Sequence, residues 1–160
     1  MAARPPMLQV ILTASSLMLV ACGADLRSQD RVQPPEMTAA DVAGAVRGGA
    51  VLLDVRGGTE RNRDGASRLP HIWVTFGSDH WRRSEPADVA SFVHHLSQTA
   101  VLPGQRLVVL CSVGVRSAAA ADTLMALGHD AVNIREGWLG GAAGIGLRDL
   151  EDMQSEEPDS

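Results

Sequence analysis

Lysine and tyrosine are absent from this 160-residue chain, and all 14 basic residues are arginine. A Schiff-base lysine, a P-loop lysine and a catalytic tyrosine are therefore excluded. Aromatics make up only 3% of the residues, no basic cluster is interleaved with them, and the net charge is -5. The electrostatic footprint of nucleic-acid binding is missing, so no nucleic acid is expected as a partner. Cysteine occurs only as Cys22 and Cys111, far apart and in different contexts. That argues against a disulfide framework or a zinc site built from cysteine pairs. The longest apolar stretch, Leu8 to Val20, falls short of the ~20 residues of a membrane-spanning helix. What is present, 45% apolar and 21% charged residues, suits one globular domain.

The N-terminus has the three-part layout of a secretory signal: Arg4, the apolar stretch, then the small residues Ala21, Cys22, Gly23 and Ala24. An ordinary cut after Ala21 would put bulky Leu19 at a position that wants a small side chain. Leu19-Val20-Ala21-Cys22 instead resembles the lipobox of bacterial lipoproteins. That resemblance implies a signal peptide over 1–21, lipidation of Cys22 and a position on the periplasmic side of a bacterial membrane. Gly23 after the cysteine favours the outer membrane over the inner. More than one acyl chain on Cys22 would give a stable membrane anchor. A plain secretory peptide cut after Ala24 is the alternative.

Residues 22–35 are polar, end in Pro34-Pro35 and read as a flexible tether. Residues 148–160 hold six acids and read as a solvated acidic tail. Between them, over 36–147, helical and strand patterns alternate. Ala39, Val42, Ala43 and Val46 share a helical face after a Thr38 cap, and Gly48-Gly49 stops it. Val51-Leu52-Leu53 ending in Asp54, and Leu107 to Leu110 ending in Cys111, are apolar runs of strands covered on both faces. His71 to Phe76 and Ala131 to Ile134 are weaker strands. Ser84 with Glu85 and Pro86 opens a helix with Val89, Phe92, Val93 and Leu96 on one face, and Ser117 to Leu127 is an alanine-rich helix closed by Gly128. The expected fold class is α/β, a single domain with a central parallel sheet and helices on both faces. Ligands in such sheets sit beyond the carboxyl ends of strands, where both Asp54 and Cys111 fall.

Cys111-Ser112-Val113-Gly114-Val115-Arg116-Ser117 runs from an apolar strand into a helix. Curled around the thiol, the loop would aim backbone N–H groups and the helix N-terminus at sulfur and stabilise the nucleophilic thiolate. Gly114 permits the curl, and Arg116 adds a fixed positive fork suited to an oxyanion. A buried structural cysteine ending a core strand is the plainer alternative.

The loop resembles the signature of single-domain rhodaneses: Cys, two residues, Gly, one residue, Arg and Ser. Leu53-Asp54-Val55-Arg56 is similar to the end of an early strand in that family, and Val132-Asn133-Ile134-Arg135-Glu136-Gly137-Trp138 is similar to its closing segment. These landmarks cover about residues 36 to 145. The resemblance implies a sulfurtransferase without metal or organic cofactor, taking sulfane sulfur from a donor such as thiosulfate and passing it to cyanide or a thiol. Cys111 would carry the persulfide, the N–H groups of residues 112 to 117 would cradle the terminal sulfur, Arg116 would hold the anionic donor, and Asp54 and Arg56 would brace the loop. Two departures concern substrate contacts. The stretch from Arg61-Asn62-Arg63-Asp64-Gly65 to Arg68-Leu69-Pro70-His71-Ile72-Trp73 differs from the family pattern after Glu60, and Ser112 stands where thiosulfate users often carry a basic residue.

A non-enzymatic sulfur carrier or binding module is the main competing reading. Cysteine phosphatases and arsenate reductases hold a larger anion in a loop with five residues between Cys and Arg, whereas four separate Cys111 from Arg116. Dithiol chemistry has no second cysteine once Cys22 is lipidated. Adjacent His94 and His95 point about 100 degrees apart on a helix, and His71, His80 and His129 have no metal spacing. Trp81-Arg82-Arg83 reads as an exposed basic loop outside the site.

Overall fold

The computed structural model describes residues 33–77 and 86–155. The signal, Cys22 and most of the tether, together with His80 and Trp81-Arg82-Arg83, lie outside the described residues. The elements run β1 (Glu36–Met37), α1 (Ala39–Arg47), β2 (Val51–Asp54), α2 (Gly58–Asp64), β3 (His71–Trp73), α3 (Pro86–Ser97), β4 (Arg106–Leu110), α4 (Val115–Ala126), β5 (Asp130–Ile134) and α5 (Leu147–Ser155). The five strands form one parallel sheet in the order β1-β5-β4-β2-β3.

The uninterrupted apolar runs explain why β2 and β4 lie inside the sheet, because successive residues point to opposite faces and all must be apolar when both faces are covered. Leu53, Leu107, Val109 and Cys111 join Phe92 and Leu96 of α3 and Ala120, Ala121 and Leu124 of α4. Leu52, Val108 and Leu110 face the other way, with Ala39 and Val42 of α1, Trp138, and Leu147 of α5. Helices therefore cover both faces. From β2 the chain leaves toward β3, and from its neighbour β4 it leaves toward β5. That reversal opens a crevice at the carboxyl ends of β2 and β4, where Asp54 pairs in register with Leu110.

Local signals set most boundaries, but the sequence reading placed neither β1 nor α2, and several other features differ from it. Thr38 occupies the N-cap of α1, but its hydroxyl donates to Asp41 Oδ2 at 2.5 Å and makes no cap bond to the backbone. Strand β3 is shorter than expected, ending at Trp73. Helix α4 starts at Val115 rather than Ser117, because Gly114 takes the left-handed conformation (φ 84°) and turns the chain directly into the helix. Finally, the expected solvated tail over 148–160 is corrected for 148–155, which belong to helix α5 (Leu147–Ser155), while 156–160 lie outside the described residues. The acids of α5 conceal an amphipathic period, in which Leu147 and Glu151 are buried and Leu150 packs against the core. Glu151 accepts the Ser67 hydroxyl and, at 2.7 Å, the Arg68 N–H.

Candidate active site

Cys111 immediately follows β4, is 1% exposed and lies on the face covered by α3 and α4. The loop after it is held by its backbone against the turn that leaves β5. Trp138 N–H donates to Cys111 O and Leu139 N–H to Ser112 O, each at 2.8 Å. Two glycines make this approach possible. A Cβ on Gly114 would lie 2.1 Å from Arg135 O, and one on Gly137 would lie 2.7 Å from Cys111 O and from the amide nitrogens of Val113 and Gly114. Both have positive φ, which any other residue adopts at a cost.

Among the described residues, no protein acceptor takes the backbone N–H of Ser112, Val113, Gly114, Val115, Arg116 or Ser117, and the first helical bond here runs from Ala118 N–H to Gly114 O at 3.1 Å. Six consecutive donors without a protein acceptor there, the last three at a helix N-terminus, are a backbone that can receive negative charge. The side chains of Val113 and Val115 turn outward, 51% and 62% exposed, so these two residues contribute to the loop through their backbone. The Ser117 hydroxyl lies 3.2 Å from Cys111 Sγ, 3.1 Å from Gly114 O and 2.7 Å from Asn133 Oδ1.

Arg116 is oriented by a residue the sequence reading did not assign to the site. Its Nη2 donates to Glu60 Oε1 at 2.6 Å, and Ser112 donates to the same oxygen at 2.7 Å. The other carboxylate oxygen of Glu60 accepts Gly57 N–H at 3.0 Å and so caps α2. Burial acts to raise the Glu60 carboxyl, but hydrogen bonds from Arg116, Ser112 and Gly57 and the Arg116 charge outweigh it and hold it below its ordinary value. One arm of the Arg116 fork, Nη2, is thus engaged by Glu60. Arg116 Nε and Nη1 are buried without a protein acceptor among the described residues.

Asp54 and Arg56 stand together on the neighbouring strand end. Asp54 accepts Arg56 N–H and Nε at 3.0 Å and Nη2 at 2.8 Å. Arg61 Nε lies 3.1 Å from Asp54 Oδ2, close as an ion pair but not aligned as a hydrogen bond. The Arg56 guanidinium stacks 4.8 Å from the Trp138 ring centre, and Trp138 carries the amide that holds Cys111 O. Val55 N–H also donates to Leu110 O at 2.8 Å. The Asp54–Arg56 pair therefore fixes the strand end and the tryptophan on which the cysteine loop rests. It makes no contact with Sγ among the described residues, where there is also no group of three His, Cys, Asp or Glu side chains that could hold a metal ion.

This architecture is similar to that of the reduced CoADR-RHD protein of Bacillus anthracis, with a TM-score of 0.50 and 20% identity, covering 65% of this chain and 16% of the Bacillus one. A rhodanese-related protein from Thermoplasma volcanium gives 0.48 at 20% identity, covering 78% of this chain and 95% of its own. A rhodanese homologue from Thermus thermophilus gives 0.43 at 20% identity, covering 64% and 94% respectively. The fold is rhodanese-like. No family model and no curated protein matches the chain. Within this rhodanese-like domain, the sequence-predicted residues Cys111, Ser112, Gly114, Arg116 and Ser117 converge, and Asp54 and Arg56 stand one strand away. Glu60 and Asn133 complete the arrangement. The signal for Glu60 was its place in the first turn after Asp54-Val55-Arg56-Gly57; Asn133 lay inside a recognised segment but had no signal marking it as a partner of Ser117.

Proposed function

We propose that the chain is a sulfurtransferase whose Cys111 carries sulfane sulfur as a persulfide. The observation that carries this reading is the run of six backbone N–H groups without a protein acceptor among the described residues, directly after a cysteine at the end of a core strand. The Cys111 thiolate attacks the outer sulfur of thiosulfate. The S–S bond of the donor breaks, its electron pair leaves on sulfite, and the new persulfide is anionic. The loop amides stabilise that charge, which develops during the transfer. Cyanide or a thiolate then takes the outer sulfur and returns the cysteine thiolate. Arg116 supplies positive charge next to the loop for an anionic donor molecule, with Glu60 setting its position.

A carrier that takes up sulfur without turnover is the second reading, favoured by the 1% exposure of Cys111, which restricts an acceptor's approach. The experiment is the mass of the purified chain after thiosulfate, followed by cyanide and assay of thiocyanate. A gain of one sulfur at Cys111, removed repeatedly by cyanide, supports the transferase. A single removal without turnover supports the carrier. The Cys111→Ser chain should gain no sulfur and melt within a few degrees of the wild type; sustained thiocyanate production by it refutes the mechanism.

In the same reading the domain is anchored through lipidated Cys22 on the periplasmic side of a bacterial membrane, with the outer membrane favoured. The support is the Leu19-Val20-Ala21-Cys22 sequence alone. Metabolic palmitate labelling that persists in a Cys22→Ser chain would sink this assignment.

A further inference from the structure

Asn133 has no task in the reaction just described, yet it is a carboxamide 2% exposed on a strand whose neighbours Ala131, Val132 and Ile134 are all buried and apolar. By strand alternation it shares the Ala131 face, the face on which Cys111 lies. A buried amide is retained at a cost unless it is hydrogen-bonded. Its shortest contact is Oδ1 to the Ser117 hydroxyl at 2.7 Å, and that hydroxyl is 3.2 Å from Cys111 Sγ. Ser117 has one hydroxyl proton for three neighbours: sulfur, Asn133 and Gly114 O, the last already accepting Ala118 N–H.

While the proton points to Asn133, the oxygen lone pairs of Ser117 face sulfur, which suits a thiol donating its S–H. Negative charge on sulfur needs the reverse. A carboxamide presents oxygen or nitrogen in nearly the same space. Turned about, Asn133 donates to Ser117 Oγ and leaves the hydroxyl proton for sulfur. We propose that Asn133 is a positioning residue, whose carboxamide sets whether the Ser117 hydroxyl points away from Cys111 or toward it as sulfur loses and regains its proton. No covalent bond to Ser117 changes; its proton stays on Oγ, and the thiol proton leaves to water. The charged groups nearest the loop are Arg116 with Glu60, paired at 2.6 Å, and Asp54 with Arg56 and Arg61 at the end of β2, none of which contacts Sγ among the described residues.

The inference rests on the sulfurtransferase reading for its purpose, but its test does not. The rate of iodoacetamide alkylation at fixed pH, read on the Cys111 peptide of the full chain, needs no sulfur donor. Asn133→Ala and Ser117→Ala should each slow it about five- to tenfold, the scale of one neutral hydrogen bond. The double variant should be no slower than Ser117→Ala alone, because Asn133 acts only through that hydroxyl. Asn133→Leu, close in shape to asparagine but with no polar group and no charge, should slow alkylation as much as Asn133→Ala. Equal slowing by Asn133→Ala in the presence and absence of Ser117, or wild-type rates in both Asn133 variants, overturns the proposal. If Asn133→Ala does not fold, Asn133→Leu decides: slow alkylation that is no slower when Ser117→Ala is added upholds the proposal, and the wild-type rate overturns it. Coupling without thiocyanate formation would reject the transferase and leave the positioning role standing.

Discussion

Replacing Glu60 should affect stability and site geometry together, in amounts the structure sets. Glu60 and Arg116 are 12% and 10% exposed at their side chains and 2.6 Å apart, so water screens the pair only in part. Glu60→Ala removes the acceptor for Arg116 and Ser112 and also the cap on Gly57. It leaves the Arg116 guanidinium, already without a protein acceptor at Nε and Nη1, with no partner at Nη2. Removing one partner of a fully buried pair costs about 3–5 kcal/mol, and partial screening puts this pair at the lower end, about 3 kcal/mol. For a domain of this size, that lowers the melting temperature on the order of 10 °C. Glu60→Gln keeps an acceptor oxygen and loses the charge, so it should cost about 1–2 kcal/mol, the scale of a charged hydrogen bond reduced to a neutral one. Arg116→Ala should cost less than Glu60→Ala, because Glu60 keeps Ser112 and Gly57. The assay is thermal unfolding at neutral pH beside the rate of persulfide formation. If Glu60→Ala melts within about 2 °C of wild type, the pair contributes too little for this reasoning to hold.

Three further outcomes follow from the same contacts. The carboxyls of Glu60 and Glu136 are both held below their ordinary value: burial raises each, and hydrogen bonds from Arg116 and Ser112, or from Arg135 and Ala39 N–H, outweigh it. Their stabilisation is complete above the unfolded value of about 4.3 and is lost as pH falls through the lower folded values; stability should therefore decline in acid, less steeply in Glu60→Gln, and a parallel decline in both chains would contradict this. Gly114→Ala would force a Cβ into Arg135 O and a positive φ on alanine, so it should lose sulfur uptake and at least about 2 kcal/mol of stability; a fully active, equally stable variant would show that the two turns do not interlock. Glu151→Ala should loosen α5 by removing the acceptor for Ser67 and Arg68, lowering stability by about 1–3 kcal/mol while leaving Cys111 alkylation unchanged; slowed alkylation would mean that α5 reaches the site.

Much of the fold was legible because its signals are local. The apolar runs Val51-Leu52-Leu53 and Leu107 to Leu110 have no polar alternation, which forces strands covered on both faces, and the alternation of strands with helices implies the parallel sheet. The spacing Cys111, Gly114, Arg116, Ser117 was likewise visible, since one loop carries all four residues. Helix α5 was obscured because the six acids of residues 148–160 suggest solvation, while its packing depends on Leu147, Leu150 and the distant Ser67 and Arg68 that Glu151 accepts.

The sequence by itself determined that a single cysteine ends a core strand, that a glycine and a helix start follow it, and that Asp54 and Arg56 end a second strand. Tertiary structure decided what these residues do to one another. The strand order sets β2 beside β4, which brings Glu60 to Arg116 across 56 positions and Ser112 to the same oxygen. The pairing of β4 with β5 sets Asn133 against Ser117, and Gly137 leaves room for the cysteine loop to close. Hydrogen bonds act over about 3 Å and have no signature in sequence spacing once the partners lie on different elements. The crevice could therefore be placed from the pattern of strands and helices, but the partners of its side chains only from the folded chain.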